Sequence, residues 1–342
     1  MSSVAVVILN WNGKDILAEF LPSVVMHSKV EGTTIYVADN GSTDSSVEYI
    51  EKTFPTVKII KLDKNYGFAG GYNRAIETLT EDYVILLNSD VEVSENWLHP
   101  LIEYMDHHNE IAACQPKIRS YRNKKQFEYA GAAGGYIDKY GFPFCRGRFF
   151  NVFEEDNGQY DQIEDIFWAT GACLFIRTEI YKQVGGLDDD FFAHMEEIDL
   201  CWRIWARGYK IVYIPHSTVY HLGGATLNKT NPHKTFLNFR NNLYLLYKNL
   251  HIHYSRRMFV RYILDFVAFI KFILGFEYKN AGAVLRAHRD FLEKRKYFKT
   301  KRIENQEKTI VKEIPVIYHG SIVFDFFLKG KKYFHQLNFY KK

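Results

Sequence analysis

Acidic and amide side chains follow several short apolar segments of this chain, and one such group is residues 39–44 (DNGSTD). Asp39, directly after an apolar segment, is well placed to accept hydrogen bonds from a nucleobase or a ribose. Asp44, or Thr43 beside it, is suited to cap the helix that follows. Two interpretations are therefore open for this group, a nucleotide-binding edge or a plain turn with a helix cap.

A second acidic group lies in residues 88–92 (NSDVE), after the most apolar of the early segments. Mg²⁺ and Mn²⁺ prefer oxygen ligands and bridge diphosphates, so the carboxylate of Asp90 is a natural metal ligand there. His221, beside a pair of glycines, is a candidate for a further metal ligand or a diphosphate contact. A capping role for Asp90 and a structural role for His221 are the alternatives.

Residues 65–74 (NYGFAGGYNR) open a predicted helix with three glycines. Glycine lets a backbone come close to a ligand, and a helix N-terminus favours phosphate oxygens. The spacing differs from a dinucleotide-binding fingerprint, and the segment follows the third predicted strand rather than the first. Arg74 is a candidate contact for a diphosphate, with a solvated helix arginine as the alternative.

Three carboxylates, Glu196, Glu197 and Asp199, lie within four residues at the predicted start of another helix. A helix N-terminus favours anions, so capping accounts for some of them. Capping of one helix does not require three carboxylates. A carboxylate at the edge of a cleft can act as the general base for a hydroxyl nucleophile.

These groups require elements that bring them together. The first hundred residues alternate short apolar segments with helix-compatible ones, a βαβαβαβ pattern that predicts a parallel sheet covered by helices on both faces. In such sheets a ligand binds beyond the carboxyl ends of the strands, where the polar groups lie. The predicted strands are residues 4–9, 34–38, 57–62 and 83–87, and the predicted helices are residues 14–27, 45–54 and 69–79.

The pattern is more mixed between residues 114 and 213, with predicted strands at 166–176 and 210–214 and a helix at 196–207 between them. Longer helices are predicted at residues 235–250, 256–274 and 281–298. Residues 258–278 are apolar enough to raise the question of a transmembrane helix, but charges near a bilayer centre are costly. The charged residues in this segment are Arg261, Asp265, Lys271 and Glu277. An interfacial amphipathic helix and a helix packed on the rest of the protein are the two open interpretations, and a spanning helix is disfavoured.

Composition further narrows the classes of protein to which this chain can belong. Lys and Arg number 44 and Asp and Glu number 40, and a net charge of +4 does not indicate a nucleic-acid-binding protein. The four cysteines lie far apart, which argues against a zinc ribbon and a disulfide framework. The first nine residues lack a basic leader and a small-residue cleavage site. We therefore expect no signal peptide and a cytoplasmic location.

Taken in order, the motifs resemble the family 2 glycosyltransferases, which use nucleotide sugars and have the GT-A fold. The resemblance covers about residues 2 to 250, and within the family it is closest to the rhamnosyltransferase-like branch that builds bacterial surface polysaccharides. Five motifs in the right order are strong evidence, although none is specific alone. They are residues 7–13 (VILNWNG), 37–44 (VADNGSTD), 65–73 (NYGFAGGYN), 86–91 (LLNSDV) and 185–200 (GGLDDDFFAHMEEIDL).

The resemblance implies an α/β fold in which a Rossmann-like nucleotide-binding sheet merges with an acceptor-binding subregion, followed by a C-terminal helical extension. We expect a catalytic domain at residues 1–230, with a nucleotide-sugar-binding half at 1–113 and an acceptor-side half at 114–230. Residues 231–342 are then a helical, aromatic and basic region that contacts a membrane surface or covers the catalytic domain.

The resemblance also implies residue roles. Asp39 matches the aspartate that reads the nucleobase, and Asp90 matches the last acid of the metal motif, whose first acid is Asn88 here. His221 falls where some relatives have a further metal ligand. Glu197 stands where the family has its catalytic aspartate, so the base is Glu197, Glu196 or Asp199, with Glu197 preferred. The full set expected to contact the nucleotide is Asn10, Asn12, Asp39, Asn65, Gly67, Gly71, Arg74 and Ser89.

The implied activity is an inverting transfer of a sugar, from dTDP-rhamnose or a UDP-sugar, to a hydroxyl of a saccharide or polyprenyl-linked acceptor, with Mg²⁺ or Mn²⁺ as cofactor. A GT-A scaffold without catalytic activity is the main alternative, since Asn88 and Glu197 depart from the family pattern. A sugar nucleotidyltransferase is disfavoured, because its glycine- and arginine-containing loop should replace residues 10–13.

Overall fold

The computed structural model describes residues 2–223 and 231–339. Its helices are α1 (Lys14–His27), α2 (Ser46–Thr53), α3 (Gly67–Glu77), α4 (His99–His107), α5 (Thr178–Gln183), α6 (Glu196–Ala206), α7 (Pro232–Asn249), α8 (Tyr254–Leu274), α9 (Tyr278–Glu307) and α10 (Ile322–Phe327). Its strands are β1 (Val4–Asn10), β2 (Thr33–Asp39), β3 (Lys58–Lys61), β4 (Tyr83–Asn88), β5 (Val91–Val93), β6 (Ile111–Ser120), β7 (Gly135–Asp138), β8 (Pro143–Cys145), β9 (Arg148–Phe149), β10 (Val152–Phe153), β11 (Glu164–Asp165), β12 (Cys173–Arg177), β13 (Lys210–His221) and β14 (Ile317–Tyr318).

A large sheet forms the centre of the protein, with the strand order β11-β13-β6-β12-β4-β1-β2-β3 and with β5 beside β13. Strands β3, β2, β1 and β4 are parallel, whereas β12 runs antiparallel to both of its neighbours. Residues Val4 to Ile8 are buried on both faces of the sheet, as expected of a central parallel strand. Helices cover both faces, so the predicted α/β class is confirmed.

The strands and helices predicted for the first ninety residues are confirmed, with bounds that differ by a few residues. Two later strands differ more. The segment predicted at 166–176 is regular only from Cys173, because the backbone of Trp168 pairs with Gly135 of a second sheet. Strand β13 runs past Pro215 to His221, through an irregularity between Ile214 and Thr218. The proline explains why the sequence pattern ended at Ile214.

A smaller sheet, in the order β10-β9-β8-β7-β14, lies beside the large one. Its last strand comes from the C-terminal region and runs parallel to β7. Phe339 also packs its ring against Tyr136 of β7, with ring centroids 5.0 Å apart. The C-terminal region thus completes a sheet of the preceding half, and the division at residue 230 stays a prediction.

Helices α7 and α9 pack along each other, and α7 also contacts α6. A buried ion network joins these helices to the segment before α6. The ammonium of Lys248 on α7 lies 2.6 Å from Asp188 Oδ2 and 2.8 Å from Asp199 Oδ2. Arg203 donates to Asp199 at 2.8 Å, and Lys301 on α9 lies 2.6 Å from Asp188 Oδ1. Lys248 is thus the cation shared by both carboxylates.

We predict that Lys248→Met lowers the free energy of unfolding by about 3–5 kcal/mol at pH 7, because it leaves buried carboxylates short of a cation. Despite burial, Lys248 and its cationic neighbours hold the pKa values of Asp188 and Asp199 below their usual range. Their contribution is present above the unfolded pKa of about 4 and is lost as the pH falls. The difference from the wild type should therefore persist from pH 7 to about pH 4 and shrink as the pH falls below about 4, as measured by urea unfolding.

The matched control is Lys294→Met on α9. Its ammonium pairs with Asp290 at 3.4 Å, but its side chain is 51% exposed. An exposed pair of this kind contributes less than about 1 kcal/mol. Equal losses in the two variants would contradict the role given to Lys248.

Candidate active site

The carboxyl ends of β1 and β2 form the first part of the site. Asn10 and Asp39 are the last residues of these strands and face each other in register. Asn10 Nδ2 donates to Asp39 Oδ1 at 3.1 Å and to Ser46 Oγ at 2.9 Å, and the backbone N–H of Ser42 donates to Asp39 Oδ2 at 3.1 Å. Asn10 Oδ1 is buried and has no hydrogen-bond partner among the described residues. A buried acceptor beside a carboxylate is suited to bind N–H or O–H donors of a ligand.

Two predicted contact residues, Asn12 and Asn65, organise the loops around this edge. Asn12 Oδ1 accepts from the backbone N–H groups of Thr43 and Asp44, at 2.7 and 3.2 Å. Asn65 Oδ1 accepts from Gly67 N at 2.8 Å and from Asn40 Nδ2 at 3.0 Å. Both side-chain oxygens are therefore engaged with the protein, and these residues shape the edge through the loops they hold.

The two predicted glycines act differently. Gly67, the first residue of α3, has φ +73°, a conformation that favours glycine, and its Cα faces the ring of Phe192. Gly71 lies inside α3, where an added Cβ would come within 2.7 Å of Leu9 Cδ1. It lets α3 pack closely on β1. Gly67 therefore lies at the candidate site, whereas Gly71 allows the close packing of α3 on β1 that positions it.

Arg74 on α3 is held by three contacts. Its guanidinium stacks over the ring of Tyr66 at 3.6 Å, donates to the carbonyl of Gly70 at 3.0 Å and lies 3.6 Å from Asp189. It therefore links the glycine-rich segment to the loop before α6. Its side chain is 39% exposed, which leaves part of the guanidinium accessible.

The pairing of β5 with β13 brings Asp90 to His221, since Val91 is in register with His221. His221 Nε2 lies 3.1 Å from Asp90 Oδ1, and His221 Nδ1 lies 3.5 Å from Glu128 Oε2. Although burial alone lowers it, the pKa of His221 is raised to about 10 by these two carboxylates. Ser89, the other predicted residue here, is half-buried beside Asp90 in the turn between β4 and β5.

The chemistry of this cluster fits a divalent cation in part. Asp90 supplies a carboxylate oxygen, and the ring nitrogen Nε2 of His221 lies directly beside it, 3.1 Å from Oδ1. Asn88, whose amide lies 3.4 Å from His221 Nε2, is adjacent to both. Within residues 2–223 and 231–339, however, no three His, Cys, Asp or Glu side chains are arranged as a metal site. The protein thus offers a pair of ligands rather than a complete cage.

The loop before α6 is the most strained part of the site. Phe192, His194 and Met195 all have positive φ values, between 64° and 75°, which cost about 1–2 kcal/mol each in residues other than glycine. The side-chain amide of Asn241 on α7 donates to the carbonyls of Phe191, Ala193 and His194 at 2.7–2.8 Å. One asparagine therefore holds the loop that ends at Glu196.

Glu196 and Glu197 begin α6, and Oε2 of each is buried without a hydrogen-bond partner in the described part of the chain. Burial and the neighbouring charge of Glu197 raise the pKa of Glu196 well above its usual range. Burial raises the pKa of Glu197 to about 7, although backbone hydrogen bonds act in the opposite direction. The pair therefore consists of a neutral acid, Glu196, and a carboxylate that changes charge near neutral pH.

Asp199 does not fit the role of base that the sequence left open for it. Its carboxylate is fully buried, and Asn249 Nδ2 donates to Oδ1 at 2.8 Å while Arg203 and Lys248 occupy Oδ2. Because the carboxylate is fully buried among these partners, it is closed to an acceptor hydroxyl. Asp199 belongs to the ion network that supports α6.

Two observations indicate that the separate groups lie near one another. Phe192, in the loop before α6, is so near Gly67 at the start of α3 that a Cβ added to this glycine would lie 3.4 Å from its ring. The charges of Glu128 and Glu197 both contribute, after burial, to raising the pKa of the Cys145 thiol to about 11. The carboxylate beside His221 and the candidate base are therefore within electrostatic reach of the same residue.

The sequence patterns did not reveal the roles of four residues at the site. Glu128, Asn241 and Lys248 lie in segments without a recognisable motif, and each acts through a partner far along the chain. Glu128 pairs with His221. His194 also escaped notice, and burial together with the charges of Lys234 and His233 lowers its pKa to about 4. It is therefore a neutral ring beside the glutamate pair at neutral pH.

Comparison with known proteins identifies the family to which this chain is similar. Residues 5–185, more than half of the chain, match the family described as glycosyl transferase family 2. An N-acetylglucosaminyl-diphospho-decaprenol L-rhamnosyltransferase of Mycobacterium tuberculosis (strain ATCC 25618 / H37Rv) is 27% identical over 221 residues, 60% of this chain and 71% of that protein. The low-salt glycan biosynthesis hexosyltransferase Agl10 of Haloferax volcanii is 22% identical over 250 residues, 70% of this chain and 74% of that protein.

Solved structures show the same architecture. GalNAc-T7, crystallised with UDP, GalNAc and Mn²⁺, aligns with a TM-score of 0.55 and 16% identity over 75% of this chain and 49% of that one. The mannosyltransferase PcManGT of Pyrobaculum calidifontis, in complex with GDP-Man and Mn²⁺, aligns with a TM-score of 0.50 and 12% identity over 89% and 87% of the two chains. Sequence and fold therefore agree that this chain belongs to the family 2 glycosyltransferases, with a GT-A fold and rhamnosyltransferase-like relatives.

Proposed function

We propose that the protein is an inverting glycosyltransferase that moves a sugar from a nucleoside-diphosphate sugar to an acceptor hydroxyl. The observation that supports this most is Glu197, a buried carboxylate with a pKa of about 7 at the end of a strained loop. A base with a pKa near the working pH accepts a proton efficiently from a hydroxyl group. The same loop touches the nucleotide edge at Gly67.

In the proposed reaction, Glu197 accepts the proton of the acceptor hydroxyl. The hydroxyl oxygen forms a bond to the anomeric carbon from one face, while the bond from that carbon to the diphosphate oxygen breaks on the other. The electron pair of the broken bond leaves with the nucleoside diphosphate. A single displacement inverts the anomeric centre. Glu196 stays protonated beside the base and so adds no second negative charge.

On the donor side, we assign Asp39 and Asn10 to the nucleoside, through the carboxylate and the unpaired amide oxygen at the strand ends. Asn12 and Asn65 position the loops on either side, and Gly71 allows α3 to approach β1. Three further groups then border the diphosphate, namely the backbone at Gly67, the guanidinium of Arg74 and the hydroxyl of Ser89.

We propose that Asp90 holds Mg²⁺ or Mn²⁺, with Asn88 adjacent, and that His221 joins as a ligand by giving up the proton that Asp90 and Glu128 stabilise on its ring. Such an ion offsets the charge that grows on a leaving diphosphate. The pair alone is too few ligands for a divalent cation that takes six or more, so the diphosphate oxygens would complete the set. Binding of the metal and of the nucleotide should therefore depend on each other.

The relatives support a narrower proposal about substrates. We propose a dTDP-rhamnose or UDP-sugar donor and a saccharide or polyprenyl-linked acceptor, in the synthesis of a bacterial surface polysaccharide. The mycobacterial relative is named for an L-rhamnosyl transfer to a diphospho-decaprenol-linked sugar. A poly-beta-1,6-N-acetyl-D-glucosamine synthase of Staphylococcus aureus (strain MW2) is also 28% identical, over 64% of this chain and 49% of that protein.

We further propose that the protein works in the cytoplasm and meets the inner face of the membrane only peripherally. No helix in the described ranges is long and apolar enough to cross a bilayer. An inactive nucleotide-binding scaffold is the competing function. The unpaired Glu197 and Glu196 argue against it, since two buried carboxylates destabilise a fold that has no use for them.

We predict that Glu197→Gln lowers kcat by about 10²- to 10⁴-fold while donor binding is kept, because only proton transfer is removed. The wild-type rate should fall as the pH drops below about 7, where Glu197 becomes protonated and cannot accept a proton. The measurement is a pH–rate profile with release of the nucleoside diphosphate as the readout.

The matched variant is Glu196→Gln, which replaces the neighbouring carboxyl by a neutral group of the same shape. Since Glu196 is already protonated at neutral pH, this variant should keep the acidic limb of the profile near pH 7. Loss of activity in Glu196→Gln with retention in Glu197→Gln would assign the base to Glu196 instead.

We also predict that one of UDP, dTDP and GDP raises the melting temperature, and that Mn²⁺ enlarges this increase. A ligand that binds only the folded state adds about 2.7 kcal/mol at a hundredfold excess over its dissociation constant, which a thermal shift detects. Asp90→Asn should remove the metal-dependent part, and Asp39→Asn should weaken the nucleotide effect with or without metal. A folded protein that responds to none of the three nucleotides would contradict the proposed donor class.

A further inference from the structure

Helix α8 presents an apolar face to the outside of the protein. Phe259, Ile263, Phe266, Val267, Ile270 and Leu274 are all exposed, between 38% and 74%. At about 100° per residue they fall within one narrow stripe along the helix. From Phe259 to Leu274 the stripe is roughly 22 Å long at 1.5 Å per residue.

The buried side of α8 carries charge instead. Arg261 and Asp265, both almost fully buried, form an ion pair at 2.7 Å, and His288 of α9 lies 3.0 Å from Asp265. Arg261 also donates to Asn242 of α7. The polar contacts therefore fasten α8 to the protein, while its apolar residues face away. A helix in a water-soluble protein normally has the reverse arrangement.

The apolar surface continues onto α10. Phe324, Phe327 and Leu328 are 47%, 53% and 73% exposed. The ammonium of Lys271, on α8, lies 4.9 Å from the ring centroid of Phe327, so the two helices border one surface. We refer to the exposed residues of α8 together with Phe324, Phe327 and Leu328 as the α8–α10 face. A contiguous apolar surface of this kind marks an interaction site.

Basic residues are concentrated in the C-terminal part of the chain, which contains the α8–α10 face. Residues 251–342 contain 20 Lys and Arg and 8 Asp and Glu, whereas residues 1–250 contain 24 and 32. Arg256 precedes the apolar stripe by one turn and is exposed on the same side of α8. On the adjacent α9, exposed Leu285 and Leu292 alternate with exposed Arg289 and Lys296. Apolar residues bordered by cations are typical of surfaces that bind anionic lipid.

We propose that the α8–α10 face docks on an anionic lipid bilayer, with α8 lying in the plane of the interface. The charge argues against a second copy of the chain as the occupant, because two such basic regions would repel each other. The buried contacts of Asp265 with His288 of α9 and of Arg261 with Asn242 of α7 hold α8 on the protein and so keep it from crossing the bilayer. Docking follows from these observations alone and does not depend on the proposed reaction.

Docking also gives the site a lipid-facing entrance, a consequence that does rest on the proposed function. Phe327 of the face contacts Phe150, with ring centroids 5.0 Å apart. Phe150 lines a cavity of about 250 Å³ that also includes Lys234 and Tyr129. Tyr129 follows Glu128, the partner of His221. A polyprenyl-linked acceptor could thus reach the cleft while its lipid stays in the bilayer.

The test is flotation of the full chain with vesicles of phosphatidylcholine alone and of phosphatidylcholine with 30% phosphatidylglycerol. We expect binding to the anionic vesicles, reduced at high salt, and little binding to the neutral ones. The double variant Phe259→Ser/Phe266→Ser should lower the partition coefficient by about tenfold or more, since two apolar anchors are lost. Both side chains are exposed, so folding should be unaffected, which the melting temperature checks.

The control is Met26→Ser on α1, an apolar side chain with 61% exposure outside the α8–α10 face, which should bind like the wild type. Equal binding of the double variant and the wild type would overturn the proposal, and so would equal binding to neutral and anionic vesicles. A dimer that the double variant dissociates, detected by light scattering, together with no vesicle binding would assign the face to a second copy. Nucleotide binding, measured separately, reports on the proposed function and not on docking.

Discussion

The loop from Asp188 to the start of α6, which contains the candidate base, depends on a single buried ammonium. Lys248 binds Asp188, where the loop begins, and Asp199, in the first turn of the helix where it ends. The chain between these two carboxylates includes the three positive-φ residues and both glutamates of the site. With its ends fixed on α7, the loop has a defined length and direction. Asn241, on the same helix, then fixes the carbonyls in its middle.

The contacts from Lys248 and Asn241 explain how the candidate site keeps two neighbouring carboxyl groups buried. Glu196 and Glu197 lie side by side in a buried position, and each leaves an oxygen without a hydrogen bond in the described structure. Desolvation and mutual repulsion both oppose this arrangement. A flexible loop would turn the carboxyl groups out to water. Because α7 and α9 hold the loop from behind, the helical region supports the candidate active site even though none of the proposed reacting groups lies on it.

The sequence allowed the nucleotide edge to be predicted, because the carboxyl ends of parallel strands must meet at one edge. Asn10 and Asp39, 29 residues apart, are brought together by this rule alone. The same reasoning could not find Lys248 or Asn241. Their partners lie on another helix and a loop about 50 residues away, and no periodic pattern predicts how those pack. The ion network around Asp199 was beyond the same reasoning, since its cations come from tertiary packing.

Charge at the site gives a physical reason for a divalent cation. Residues 1–250, which contain the cleft, carry more acidic than basic side chains, yet the proposed donor is an anion. Arg74 is shared with Tyr66 and Asp189, and His221 lies between Asp90 and Glu128. These two cations are thus largely neutralised by their own neighbours. A leaving diphosphate would gain little from them, and this supports the proposed metal ion, held by Asp90, as the source of the compensating charge.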